Sequence, residues 1–185
     1  MISADEFLGQ VGMDTELSTA SGSSGSDAMD RSDDERFDAC KESALRSLDA
    51  AQRSSSDLAK RLIGKGYEEE TVDAVICRLQ QLGLLDDEAY AEDLMRYCLQ
   101  RDMGERGVRM EMSRKGVEAT LAARLIEEAA QRGDFVDAAY ELGRSVERRT
   151  HGLERKVRMR RLWSAGGRKG HSPDTLRKVF DDLFV

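Results

Sequence analysis

A chain of 185 residues has room for one or two domains with a buried core, and it contains no apolar run of about twenty residues that would span a membrane as a helix. The formal net charge of -7 comes entirely from residues 1–36, which hold nine acids and two bases; the remainder is balanced, and within it residues 144–169 hold ten Lys or Arg against two Glu. The odd, widely spaced Cys40, Cys77 and Cys98 argue against a structural zinc site and read as reduced, largely buried small hydrophobes.

In chain order, residues 1–36 lack a helical or strand period and include the linker-like Ser18–Ser26 stretch, so an acidic, Ser/Gly-rich disordered tail is expected. Its Phe7-Leu8-Val11 cluster reads as chance apolar residues before it reads as a docking motif, and Met29 is an alternative start of translation. An acidic flexible tail is also expected to compete with phosphate for the basic segment. The start, Met1 to Glu6, lacks the basic and apolar regions of a secretory signal, which makes the cytoplasm the expected compartment.

From Phe37 the apolar period is helical throughout. It predicts helices at 38–51, 54–64, 69–82, 87–101, 105–115, 119–130, 134–148, 153–165 and 173–183. Strand signals are nearly absent, so the predicted fold class is all-α. Three segments repeat: Lys65-Gly66-Tyr67, Lys115-Gly116-Val117 and Lys169-Gly170-His171, at offsets of 50 and 54. Their apolar partners stay aligned, with Val75, Leu125 and Val179 matching, then Ile76, Ile126 and Phe180. Such a period predicts three tandem three-helix repeats, at 37–85, 86–132 and 133–185, forming an elongated, curved array of the kind used to bind large partners. In each Lys-Gly-X junction the glycine is expected to end a helix in the left-handed conformation and the lysine to meet the helix dipole. The third copy adds an N-cap at Ser172, Pro173 in the first helical position and a staple contact at Leu176.

Catalysis finds no support in the residues. His151 and His171 have no nucleophile pairing, and neither a phosphate-cradling loop nor a metal-ligand cluster is present, so no catalytic, cofactor or metal residue is expected. Glu68-Glu69-Glu70 and Asp86-Asp87 read as helix-opening acids. The partner-binding candidates are Arg144, Arg148, Arg149, Arg155, Lys156, Arg158, Arg160, Arg161, Arg168 and Lys169, because Glu147 and Glu154 alone cannot balance them, whereas a solvated helix face interleaves signs. An unbalanced patch of this kind attracts phosphates or an acidic protein surface. Trp163, four residues after Met159, reads as core. Arg101, Arg106, Arg109, Arg114 and Lys115 sit among Asp102, Glu105 and Glu111 and read as a solvated face, as do Lys60, Arg61 and Lys65 beside Asp57.

Arg53-Ser54-Ser55-Ser56-Asp57-Leu58, Lys65-Gly66-Tyr67, and Leu79 to Ala91 with Gly83, Leu85, Asp87 and Tyr90 together resemble the RecX family of bacterial recombination regulators. Gly107 to Lys115-Gly116 and Gly170 to Leu176 resemble its later elements. Asp57 stands where the family usually has Glu, with the capping role expected to persist; His171 stands where an aromatic is usual; Gly166-Gly167-Arg168-Lys169 looks like a local insertion. The resemblance implies a non-enzymatic protein that binds the RecA recombinase filament and restrains its growth, strand exchange and ATP hydrolysis, and so acts on DNA repair and the SOS response. The DNA backbone is a further contact, and a monomer is expected. The alternative is a direct DNA-binding transcriptional regulator built from helix-turn-helix units.

Overall fold

The computed structural model describes the backbone of residues 26–184 and the side chains of residues 33–184. Among these residues are nine helices and no strand: α1 (Ser26–Ala50), α2 (Ser55–Ile63), α3 (Glu69–Gln81), α4 (Asp87–Gln100), α5 (Glu105–Arg114), α6 (Ala119–Arg132), α7 (Asp134–Thr150), α8 (Arg155–Lys169) and α9 (Pro173–Leu183). Residues Arg36–Val185 pack as one unit. The expectations for the Phe7-Leu8-Val11 cluster, for most of the Ser/Gly stretch and for a competing tail fall on residues outside the described ones. Helix α1 begins at Ser26, twelve residues before the expected start at 38. Once its packed part is nucleated, extending it adds one hydrogen bond per residue fixed, so polar residues such as Asp33, Asp34 and Glu35 can continue the helix without a core to face.

The helices pack in threes, and each three has its own core. Cys40 and Ala44 of α1 meet Leu58, Leu62, Val72, Val75 and Leu79. Met95 and Cys98 of α4 meet Val108, Met112, Leu125 and Ile126. Leu142 and Val146 of α7 meet Leu162, Leu176, Val179 and Phe180. Phe135, at the start of α7, is buried in the second core and ties the third repeat to it. Trp163 is half-buried and presents its ring edge-on to Phe180 at 5.9 Å, in keeping with the core reading. Cys77 is exposed, contrary to expectation. On α3 the core side is set by Val72, Val75 and Leu79, and two residues of helix turn position 77 away from it.

The three signature glycines do take the left-handed conformation, with φ of 95° at Gly66, 74° at Gly116 and 84° at Gly170. Their second role, not visible from helix capping, is to join repeats. The loop after α5 docks on the start of α2: the Ser54 hydroxyl donates to the Lys115 carbonyl at 2.7 Å while accepting from the Asp57 amide at 3.1 Å. The loop after α8 docks in the same way on the start of α5, where the Gly104 amide donates to the Lys169 carbonyl at 2.9 Å. Ser54 and Gly104 are the N-caps of their helices, fifty positions apart, so one joint is built twice. Asp87 reinforces the first joint by accepting from the Ser55 amide at 2.7 Å and from its hydroxyl at 2.5 Å. Asp57 points elsewhere than a capping acid would. Its carboxylate is held by Arg53 and Arg61, each at 3.0 Å, because Asp is one methylene shorter than the usual Glu and does not reach back to the N-cap amide.

In the second joint Gly107 and Gly170 approach so closely that a Cβ on either would overlap the other segment's backbone. His171 is buried there, and its Nε2–H donates to the Asp102 carbonyl at 2.9 Å. Burial pushes the His171 pKa down; the Asp102 carbonyl opposes the shift and the nearby Lys169 ammonium adds to it. Below its unfolded pKa of about 6.5 the unfolded chain takes up a proton that the folded chain resists, so stability falls as the pH drops through that value and levels off below the folded one. Urea unfolding between pH 7.5 and pH 5 is expected to show this loss in the wild type. His171→Gln, which keeps a donor for Asp102 but does not titrate, is expected to show less of it.

Helix α8 runs to Lys169, past the predicted end at 165, so the local insertion Gly166-Gly167-Arg168-Lys169 is taken up as helix. The starts of α5 and α8 are offset by 50 and their glycine junctions by 54, and the difference of four residues is close to one helical turn. A whole extra turn returns the junction to the same face. Gly166 accommodates it, since a Cβ there would overlap Leu176 of α9. Ser172 caps α9 by accepting from the Thr175 amide at 3.1 Å, and Pro173 opens it, as predicted.

Candidate functional site

The structure divides the ten basic candidates into two groups that composition cannot separate. Four are consumed by the fold. Arg158 is 12% exposed, pairs with Glu147 at 3.1 Å and stacks on Phe184 at 4.8 Å. Arg155 donates to the Phe184 carbonyl at 2.5 Å and stacks on Phe180 at 4.6 Å. Lys169 pairs with Asp102 at 3.2 Å and donates to the Arg101 carbonyl, which places it in the second joint. Arg144 pairs with Glu141 at 2.6 Å on the helix surface. These contacts explain how a segment so rich in like charge stays folded: its stacked arginines hold the C-terminal Phe184 in the core.

The other group is exposed. Arg148, Lys156, Arg160 and Arg161 form no ion pair among the described residues, and Arg149 and Arg168 contact only the Ser145 carbonyl, at 3.0 Å, and the Ser164 hydroxyl, at 2.6 Å. Four of these converge on one groove between α7 and α8: Arg149 on one wall, and Arg160, Arg161 and Arg168 on the other. The groove has a volume of about 410 Å³, and Val146, Thr150, Ser164 and Ala165 complete its lining. Helical spacing creates it. Arg161, Ala165 and Arg168 fall on one face of α8, and Val146 and Thr150 on one face of α7. The floor residues were not singled out from the sequence, although their three- and four-residue spacing to the arginines was the available signal. The added turn of α8 supplies Arg168.

Glu147, the nearest acid in the sequence, is already committed to Arg158. The guanidiniums of the groove therefore repel one another without internal compensation, and a polyanionic surface relieves that repulsion. Each guanidinium also presents a planar fork suited to a carboxylate or a phosphate. The second basic cluster behaves as the sequence implies, with Arg109 paired to Glu105 at 2.8 Å and Arg114 to Glu111 at 2.5 Å. No group of three His, Cys, Asp or Glu that would hold a metal occurs among the described residues, and no described helix is long and apolar enough to cross a membrane.

Comparison with known proteins agrees with this architecture. Residues 40–79 match the family model for the first three-helix domain of RecX, and residues 86–129 the model for its second. The regulatory protein RecX of a Mycobacterium species (strain KMS) is 35% identical over 134 residues, which cover 69% of this chain and 72% of that protein. The regulatory protein RecX of Clostridium perfringens (strain SM101) is 36% identical over 84 residues, and there the match spans only 45% of this chain and 39% of the relative. The crystal structure of RecX from Lactobacillus salivarius superposes with a TM-score of 0.69 at 19% identity, covering 81% of this chain and 97% of that one, which shows a shared fold. With its repeated three-helix units, its Lys-Gly joints and a relative this similar over most of both chains, the chain belongs to the RecX family of regulatory proteins.

Proposed function

We propose that this protein binds the RecA nucleoprotein filament and restrains it, limiting filament growth, strand exchange and the linked ATP hydrolysis, and thereby moderating recombinational repair and the SOS response. It acts in the cytoplasm as a binding protein, without a cofactor or a catalytic centre of its own. The observation that carries the contact is the α7–α8 groove, whose four arginines have no acidic partner within the described chain. Acidic side chains of the filament or the phosphates of its DNA supply the missing charge.

The test is RecA-driven ATP hydrolysis on single-stranded DNA with the protein added at an equimolar ratio. Hydrolysis is expected to fall and filaments to shorten; unchanged hydrolysis and unchanged strand exchange refute the reading. The alternative of a direct DNA-binding regulator gives a different result. It requires tight binding to one preferred duplex in the absence of RecA, above a steeply salt-dependent background.

A further inference from the structure

Each joint has two halves. One is the Lys-Gly loop, which offers a carbonyl and a glycine without side chain; the other is the capped start of the second helix of the preceding repeat. Three loops and three such helix starts exist, but among the described residues only two of each are used. The unused loop is Lys65-Gly66-Tyr67 of the first repeat, and the unused helix start is Glu154-Arg155-Lys156-Val157 of the third. Burial follows this division: Gly66 is exposed, Gly116 half-buried and Gly170 buried, whereas Ser54 and Gly104 are buried and their counterpart Glu154 is exposed. A Cβ at Gly66 would meet nothing within 4 Å, while one at Gly116 would come within 2.9 Å of Ser54.

We propose that copies of this chain associate head to tail, the Lys65-Gly66 loop of one docking on the α8 start of the next through the same joint that links its own repeats. Charge supports the match. In the second joint Ser172 and Pro173 face Glu105, Arg106 and Arg109 across a shared cleft. The counterparts at the unused halves are Glu68, which also pairs with Arg36 at 3.7 Å, and Glu69 on the loop side, and Lys156 and Met159 on the helix side, beside an Arg155 already held by Phe180 and Phe184, which sets the acids against the Lys156 ammonium. The receiving surface also carries exposed apolar side chains of the kind that a further unit would cover. Leu153 and Met159 are each 41% exposed there, beside a groove of about 340 Å³ lined by Val157, Met159 and Trp163 together with Lys156, Arg160 and one acid, Glu154. A side chain at the position of Val157 is compatible with docking, since Asp57 occupies that position in the first joint. Because the two halves differ, the contact is heterologous and adds copies in series instead of closing a symmetric pair. It replaces the monomer expected from the sequence, and it stands independently of the reading of the α7–α8 groove.

The experiment uses the full chain and two variants, each disabling one half. Gly66→Asn keeps the left-handed conformation that Asn tolerates and places a side chain where the partner helix would lie. Lys156→Glu sets an acid against Glu68 and Glu69. By sedimentation velocity the wild type is expected to grow with concentration from the 20.7 kDa single chain to dimers and longer species. Each variant alone is expected to remain at the mass of one chain, and an equimolar mixture to form one-to-one dimers and nothing larger, because each supplies the half the other lacks. A cooperative thermal transition in each variant, at the midpoint the wild type shows when diluted to one-chain mass, confirms that the variants fold. A wild type that stays at one-chain mass at every concentration overturns the proposal, as does a mixture that stays monomeric or variants that associate as readily as the wild type.

Discussion

Reversing Arg160 and Arg161 to glutamate together is expected to weaken binding to a RecA–DNA filament by about 10- to 100-fold. Truncating an arginine anchor at an interface centre commonly costs about 2 kcal/mol, a factor of about 30, and losses at adjacent anchors are not additive. Both side chains are exposed and form no ion pair among the described residues, so the midpoint of thermal unfolding should hold or rise slightly as self-repulsion within the groove is relieved. Arg158→Ala gives the opposite pattern. It removes the pair with Glu147 and the stack on Phe184, so it lowers stability while leaving the groove's four arginines in place. Filament affinity by fluorescence anisotropy and melting by circular dichroism separate the two. Equal loss of affinity in both variants would mean that the groove is not the contact.

Two glycine-to-alanine substitutions in neighbouring helices are expected to have opposite signs. Gly167 lies on the exposed side of α8 with nothing within 4 Å of a new Cβ, so alanine there should stabilise by about 0.5–1 kcal/mol through helix propensity alone. Gly107 lies inside α5, where the same gain is available, but its Cβ would overlap the Lys169 carbonyl, a backbone atom that cannot move without opening the joint. Overpacking of that kind costs about 1–3 kcal/mol and outweighs the gain. Since the stability of a stacked array depends on its nearest-neighbour joints, Gly107→Ala should also split unfolding into two steps, with the third repeat separating from the second. Differential scanning calorimetry reads both effects. A Gly107→Ala protein that melts in one transition at or above the wild-type temperature would show that the joint tolerates the side chain.

Much of this fold is written locally. The helices, the left-handed glycines and the Ser172–Pro173 cap follow from a short window of residues, which is why, the early start of α1 apart, their positions agree with the sequence to within a few residues. The joints do not. That the Lys115 carbonyl meets Ser54, sixty-one positions earlier, depends on how whole repeats stack, and capping chemistry alone accounts for the glycine without it. The basic segment was legible as a surplus of charge but not as a site, because an arginine that pins a phenylalanine and one that faces solvent are the same letter. Arg155 and Arg158 on one hand, and Arg160 and Arg161 on the other, are separated by a few residues and by which side of α8 they occupy. Glycines were ambiguous for a similar reason. Gly166-Gly167 reads as an insertion after a helix that ends at 165, yet one residue of the pair is there to let Leu176 approach an unbroken helix.

The additional turn at the end of α8 means that the third repeat can be remodelled without renegotiating its place in the stack. Four residues lengthen the helix by about 6 Å and carry Arg168 into the groove, while the loop that follows still presents its carbonyl to Gly104 at 2.9 Å. A tandem architecture whose connectors are indifferent to whole turns can change one unit's length and chemistry while its neighbours keep theirs, so specialisation of a single repeat carries little penalty for the rest.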